Sequence, residues 1–296
     1  MMNSKKADIL LIFAAFVGGA GFIGMKYLLE AGYNTFQTIY GRFFVASVFM
    51  AIVFKNNLKG ITKNDIKGGF ITGVFLFGLF FFMVVGLKYT TASVNAFLTN
   101  VSSVIVPFIC WIFFNDKPKF YSFLAGFVTV LGVWFLSFDG NFDFGFGAFM
   151  SLIASFSFAF QIVFIERFVK NTNPVNLAII ENLTVFILAF LVSFIMGEKL
   201  PTLKKESISV FLMLGIFCTG MYFVIQSVCQ KYTSSSKVGV ILCSEAVFTA
   251  IMSAFIMNEK MSSFGILGCV FIFLGVIIAE TKFSFILNIF KNKSVD

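Results

Sequence analysis

Glu245 stands inside an apolar run, 234–257, where a carboxylate can hold a cationic or amine group or carry a proton. At helical period its face collects Ser234, Ile241, Thr249 and Met252. A second polar stripe, Thr91, Asn95, Thr99 and Ser102, advances by four, four and three residues down another apolar run. A third joins Thr219, Tyr222, Gln226 and Gln230, whereas the corresponding earlier segment shows Leu76, Leu79, Met83 and Gly86. One-sided polarity suits an asymmetric ligand, because symmetric scaffolding would decorate both segments. Arg42 can attract a ligand carboxylate, pair with Glu181 or Glu245, or extend its guanidinium toward the interface. Gln161 lies among phenylalanines. The candidate substrate-binding set is therefore Glu245, Asn95, Thr99, Ser102, Tyr222, Gln226, Gln161 and Arg42. Each has a structural counterpart: helix capping for Glu245, interhelical hydrogen bonds for the amides and hydroxyls, and an ion pair for Arg42.

Other chemistry is excluded by what the chain lacks. It contains no histidine, and no aspartate sits within an apolar run, which removes His-based acyl transfer, zinc hydrolysis and aspartate dyads. The five cysteines, Cys110, Cys218, Cys229, Cys243 and Cys269, lie in apolar runs without CxxC spacing and read as small buried side chains. Gly19 to Gly24 followed by Lys26 mimics a phosphate loop, but Met25 intervenes and no strand precedes it. No catalytic, cofactor or metal residues are expected, and the chain reads as a non-enzyme.

The elements that position these residues follow from composition. Of 296 residues 59% are hydrophobic and only 12% charged, with mean hydropathy +0.96; a soluble domain carries roughly 25% charge. The chain reads as an all-α polytopic membrane protein. Crossing the hydrocarbon core takes about 20 apolar residues. Charge-free runs at 9–25, 68–87, 89–115, 120–138, 144–165, 207–230 and 261–279 qualify. Three further runs carry one ionisable group each: 34–54 with Arg42, 175–196 with Glu181, and 234–257 with Glu245. Ten transmembrane helices result. The first, though it follows Lys5 and Lys6 like a signal peptide, has a later counterpart and is expected to be retained. Fifteen Lys and Arg fall on the side of the N-terminus and six on the other, which puts both termini in the cytoplasm. The net charge of +8 thus serves orientation, and no nucleic-acid partner is expected.

An offset of 143 residues aligns the chain with itself. Lys88-Tyr89-Thr90 meets Lys231-Tyr232-Thr233, Asn115-Asp116-Lys117 meets Asn258-Glu259-Lys260, and Leu131-Gly132-Val133 meets Leu274-Gly275-Val276. Two five-helix repeats, 1–138 and 143–282, precede a cytoplasmic tail, 283–296. Five is odd, so the second repeat enters the membrane from the opposite side, giving the inverted arrangement by which secondary transporters alternate access to a midplane site.

These residues resemble a known family. Ser244-Glu245-Ala246-Val247-Phe248 through Asn258-Glu259-Lys260, followed by Gly275-Val276, looks like the end of an EamA domain of the drug/metabolite transporter superfamily. The first half repeats it from Val106-Pro107-Phe108 to Asn115-Asp116-Lys117. Gly18-Gly19 with Lys26, and Arg42-Phe43, also match the family's pattern; Ala250 opposite Pro107 departs from it. The resemblance implies a central cavity lined by spans 1–4 and 6–9, with spans 5 and 10 peripheral. The expected function is secondary transport of a small organic metabolite, such as an amino acid or related amphiphile, in the export direction across a prokaryotic cytoplasmic membrane. A channel or facilitator-type pore is the alternative, and an intramembrane enzyme a more distant one. Expected partners are the substrate, the lipid bilayer, and protons or a counter-metabolite, in a monomer or homodimer.

Overall fold

A computed structural model of the chain describes residues 4–117, 120–137, 145–198, 200–201, 204–259 and 262–281. Among these all regular structure is helical. The expected tail at 283–296 and the junction between 138 and 143 lie outside the described residues.

Helix α1 (Ser4–Glu30) ends where Gly32, at φ 95°, takes the left-handed conformation open to glycine. Asn34 then opens α2 (Thr35–Val53) with a capping box closed by Gln37. After the short α3 (Lys55–Leu58), a Thr62–Asp65 capping box starts α4 (Lys63–Leu87). Asp65 also accepts from the Asn173 amide at 3.0 Å and from Asn176 Nδ2 at 3.3 Å, which fastens the start of α4 to that of α9. The fourth run is two helices, α5 (Ala92–Asn100) and α6 (Ser102–Phe114), broken at Val101. Then come α7 (Phe120–Ser137), α8 (Phe146–Val169) and α9 (Pro174–Ile195), the last with Asn173 as N-cap and Pro174 in its first turn.

The eighth run is α10 (Lys205–Gly215), a π-helical turn (Ile216–Met221) and α11 (Tyr222–Gln230). The ninth is broken at Cys243 into α12 (Ser235–Leu242) and α13 (Ser244–Ile256), and α14 (Ser263–Thr281) follows.

Among the described residues eight segments are long and apolar enough to span a bilayer, with α5–α6, α10–α11 and α12–α13 each counting as one. The other two expected spans correspond to α7 and α14, which pack along each other and within which shorter apolar stretches, Phe123–Gly132 and Ser263–Gly275, are found. Large apolar side chains point outward, Phe255 being 83% exposed, while Glu181, Gln161 and Asn95 are fully buried. An apolar exterior with polar groups inside is the signature of lipid as solvent. The chain is an integral membrane protein.

Contacts respect the 143-residue offset. A Cβ on Gly132 would meet Gly268 and Ile272, and one on Gly275 would meet Ala125 and Thr129; each set is the other shifted by 143. Cys243 Sγ donates to the carbonyl of Asn100, its own counterpart, at 3.1 Å. Asn115 and Asn258, also counterparts, are the non-glycine residues with positive φ among those described, at 58° and 52°. Both end the second half of a broken helix, a position where asparagine tolerates the left-handed region.

Candidate functional site

Helices α1, α2, α4, α5, α8, α11 and α13 converge on an internal cavity. Neither α7 nor α14 reaches it, which matches the peripheral place expected of spans 5 and 10, but α9 does not line it either. Glu245, 7% exposed, lies in the first turn of α13, where the helix dipole favours a carboxylate. Its Oε2 accepts from the Tyr222 hydroxyl at 3.2 Å. Glycine in α1 makes room for both groups. A Cβ on Gly18 would collide with the Glu245 carboxylate and approach the Tyr222 ring to 2.9 Å, and one on Gly19 would lie 3.1 Å from the Glu245 carbonyl.

Arg42, 2% exposed, faces the same cavity from α2. Its Nη2 donates to the Cys218 carbonyl and its Nε to Thr219 Oγ1, both at 2.7 Å, while Nη1 meets Met25 Sδ at 3.1 Å. Thr219 in turn donates to the Leu214 carbonyl, five residues back. The wide π turn and Arg42 thus support each other: a turn that departs from α geometry frees a carbonyl, and the guanidinium satisfies it. The Phe80 ring lies under the guanidinium, 4.5 Å from its centre. Among the described residues no carboxylate lies within 4 Å of Arg42, so the pairing with Glu181 or Glu245, one of the options open in the sequence, is not made in this conformer. Three of its five N–H groups are engaged and two remain.

The break at Val101 leaves Thr99 and Asn100 at the cavity wall. Thr99 Oγ1 and Asn100 Oδ1 are buried without a hydrogen-bond partner. Phe22, Phe80, Phe158 and Phe223 supply apolar wall. The free space is about 30 Å³, room for a water or two, whereas metabolite sites run to about 300–1,000 Å³. A larger recess of about 470 Å³ lies between α2, α9 and α10, but its walls, such as Phe44, Phe190 and Leu212, face lipid and bring no charges together.

Of the sequence candidates, Glu245, Tyr222, Thr99 and Arg42 meet at the cavity. Asn95 lies elsewhere, donating to the Met83 carbonyl at 3.1 Å and Ser151 Oγ at 2.7 Å. Ser102 begins α6, buried and without a partner for its hydroxyl, and is not part of the wall. Gln161 and Gln226 bond each other, and Gln161 donates to Glu181, in a separate cluster. Gln230 donates to the Ile162 carbonyl. Asn100 and the four phenylalanines were missed. Asn100 carried one signal, its polarity within an apolar run; nothing distinguishes four wall phenylalanines among 46.

Both ends of the cavity are closed. At one end Lys26 Nζ donates to the Leu87 and Thr90 carbonyls at 3.0 and 2.9 Å. There Glu259 also accepts from the amides of Ala92 and Ser93, and Ser93 meets Ser253 at 2.5 Å. At the other end Lys237 pairs with Asp8 and Arg167 with Asp116, both at 2.8 Å, and Glu166 accepts from the Ser235 amide.

Models of the EamA-like transporter family match residues 5–138 and again 145–281. The chain belongs to the EamA-like transporter family. An uncharacterized transporter of Archaeoglobus fulgidus is 31% identical over 277 residues, 93% of this chain and 86% of that one. An uncharacterized transporter of Haemophilus influenzae is 22% identical over 308 residues, covering 94% and 97%. A crystal structure of another protein shares the fold at TM-score 0.70 with 14% identity, covering 93% of this chain and 96% of the other. The two EamA matches bracket the two halves whose counterpart residues touch at Asn100 and Cys243.

Proposed function

We propose that this EamA protein is a secondary transporter for a small zwitterionic metabolite of the amino-acid type, working by alternating access between two inverted five-helix halves with both termini in the cytoplasm. The observation that carries the reading is the pairing of Glu245 and Arg42 on one buried cavity without an ion pair between them. A carboxylate suits the ammonium of such a ligand, and the two uncommitted guanidinium N–H groups suit its carboxylate. Thr99 and Asn100 offer unused acceptors, and the phenylalanines contact an apolar side chain.

Reciprocal contacts under the 143-residue offset support the inverted arrangement, since a residue that touches its own counterpart lies on the axis relating the halves. The closed cavity then represents an occluded state. Opening either end requires breaking one set of closures: Glu259 on α5 at one end, the Asp8 and Asp116 pairs at the other. Near-symmetric halves make both directions of movement available, and substrate and ion gradients select between them.

Counterflow of radiolabelled amino acids in proteoliposomes tests this. Saturable counterflow by the wild type, lost in Glu245→Gln, is the expected result. Ion current without saturation, or counterflow untouched by Glu245→Gln, contradicts it.

A further inference from the structure

A second buried polar cluster lies apart from the cavity, enclosed by α4, α8, α9 and α11. Its centre is Glu181 of α9, 0% exposed. Oε1 accepts from Gln161 Nε2 of α8 at 2.8 Å, and Gln161 exchanges hydrogen bonds with Gln226 of α11 at 3.0 and 3.5 Å. Oε2 has no partner. Thr72 of α4 lies beside the carboxyl, and its hydroxyl is also within donating distance of the Gly68 and Gly69 carbonyls, at 3.0 and 3.3 Å. With its one hydrogen given to either carbonyl, it offers the carboxyl a lone pair.

Among the described residues no charge answers Glu181 from any element around it. On α2, Arg42 is turned to the π turn and Phe80. Asp65, at the start of α4, is bound by Thr62, Asn173 and Asn176. Past the middle of α8, Glu166 and Arg167 are engaged with Ser235 and Asp116. On α11, Tyr222 donates to Glu245. An unpaired carboxylate in such a place is heavily penalised. A metal ion does not fit, because the group nearest Oε1 is an N–H donor and no cluster of three acidic or cysteine ligands exists among the described residues. A proton on Oε2 does fit: donated to the Thr72 oxygen, it gives the orphaned oxygen a partner.

We propose that Glu181 is a proton-binding site, separate from the substrate cavity and linked to it through α11, which makes this carrier proton-coupled. The coupling rests on the transporter reading above; the proton site does not. The link is short. Gln226, held by Gln161, stands one turn from Tyr222, which holds Glu245. When the proton leaves, the carboxylate recruits the amide hydrogens of Gln161 and Gln226 more strongly. That draws α8 and α11 together and moves Tyr222 against Glu245.

Infrared spectra of the purified full-length protein in nanodiscs, recorded across pH without substrate, test the site. A neutral-acid carbonyl band that titrates with pH is expected in the wild type and in Glu245→Gln, and is expected to vanish in Glu181→Gln. Its persistence in Glu181→Gln overturns the proposal. Should Glu181→Gln fail to fold, Thr72→Val takes its place: removing the acceptor is expected to shift the band and its titration, and an unmoved band overturns the proposal. In proteoliposomes, Glu181→Gln is expected to keep amino-acid counterflow and lose accumulation driven by a pH gradient. Accumulation that survives in Glu181→Gln overturns the coupling. Absence of counterflow in the wild type strikes the transporter reading, and the coupling with it, while the infrared result is decided separately.

Discussion

Gly18 decides where Glu245 can be. With no side chain at that position, the carboxylate and the Tyr222 ring occupy the space against α1. Gly18→Ala is expected to push both away and weaken ligand binding by about 1–3 kcal/mol, the usual scale of overpacking. Gly21→Ala, whose nearest neighbour would be 3.4 Å away, is expected to leave binding near wild type. Thermal-shift titration with amino acids measures both, and equal effects of the two substitutions contradict this account of the site. Glu245 and Arg42 could be found in the sequence because ionisable groups are rare in apolar runs. Their relation could not. That Arg42 answers the Cys218 carbonyl rather than a carboxylate depends on a π turn set by Thr219, which no local pattern announces.

At the scale of elements, hydropathy located the segments, since each must bury or expose about 20 apolar residues in lipid. It did not locate the breaks. Val101 and Cys243 have no glycine or proline beside them, so the two interruptions that bring Thr99, Asn100 and Glu245 to the cavity are invisible to helix-breaking rules. The polar stripes were legible as stripes, but helix α5 gives Asn95 to Ser151 and Thr99 to the cavity, and the Thr219–Gln230 face is shared among Arg42, Glu245, Gln161 and the Ile162 carbonyl.

The closures are also set by elements. Glu259, following α13, holds the start of α5, a carboxylate on a helix N-terminus worth about 1 kcal/mol, or about fivefold in populations. Glu259→Ala is expected to open that end and expose Cys218, buried at the cavity wall, to a thiol reagent several-fold faster than in wild type. The measurement needs a chain whose other four cysteines are replaced. An unchanged labelling rate removes Glu259 from the gate.

At the scale of the whole molecule, the proposed alternating access requires two halves that cross the membrane in opposite senses. The repeat was visible because polar residues are scarce here, so Lys88-Tyr89-Thr90 and Lys231-Tyr232-Thr233 stand out as a matched pair. Contacts between counterparts, at Asn100 with Cys243 and around Gly132 and Gly275, are what an axis between such halves produces. Tyr89 and Tyr232, both exposed at helix ends, report the sense directly. Each is replaced by cysteine in a cysteine-free chain and treated in intact cells with a membrane-impermeant maleimide. The inverted arrangement predicts labelling of Tyr89→Cys at once and of Tyr232→Cys only after permeabilisation; labelling of both from the same side contradicts it.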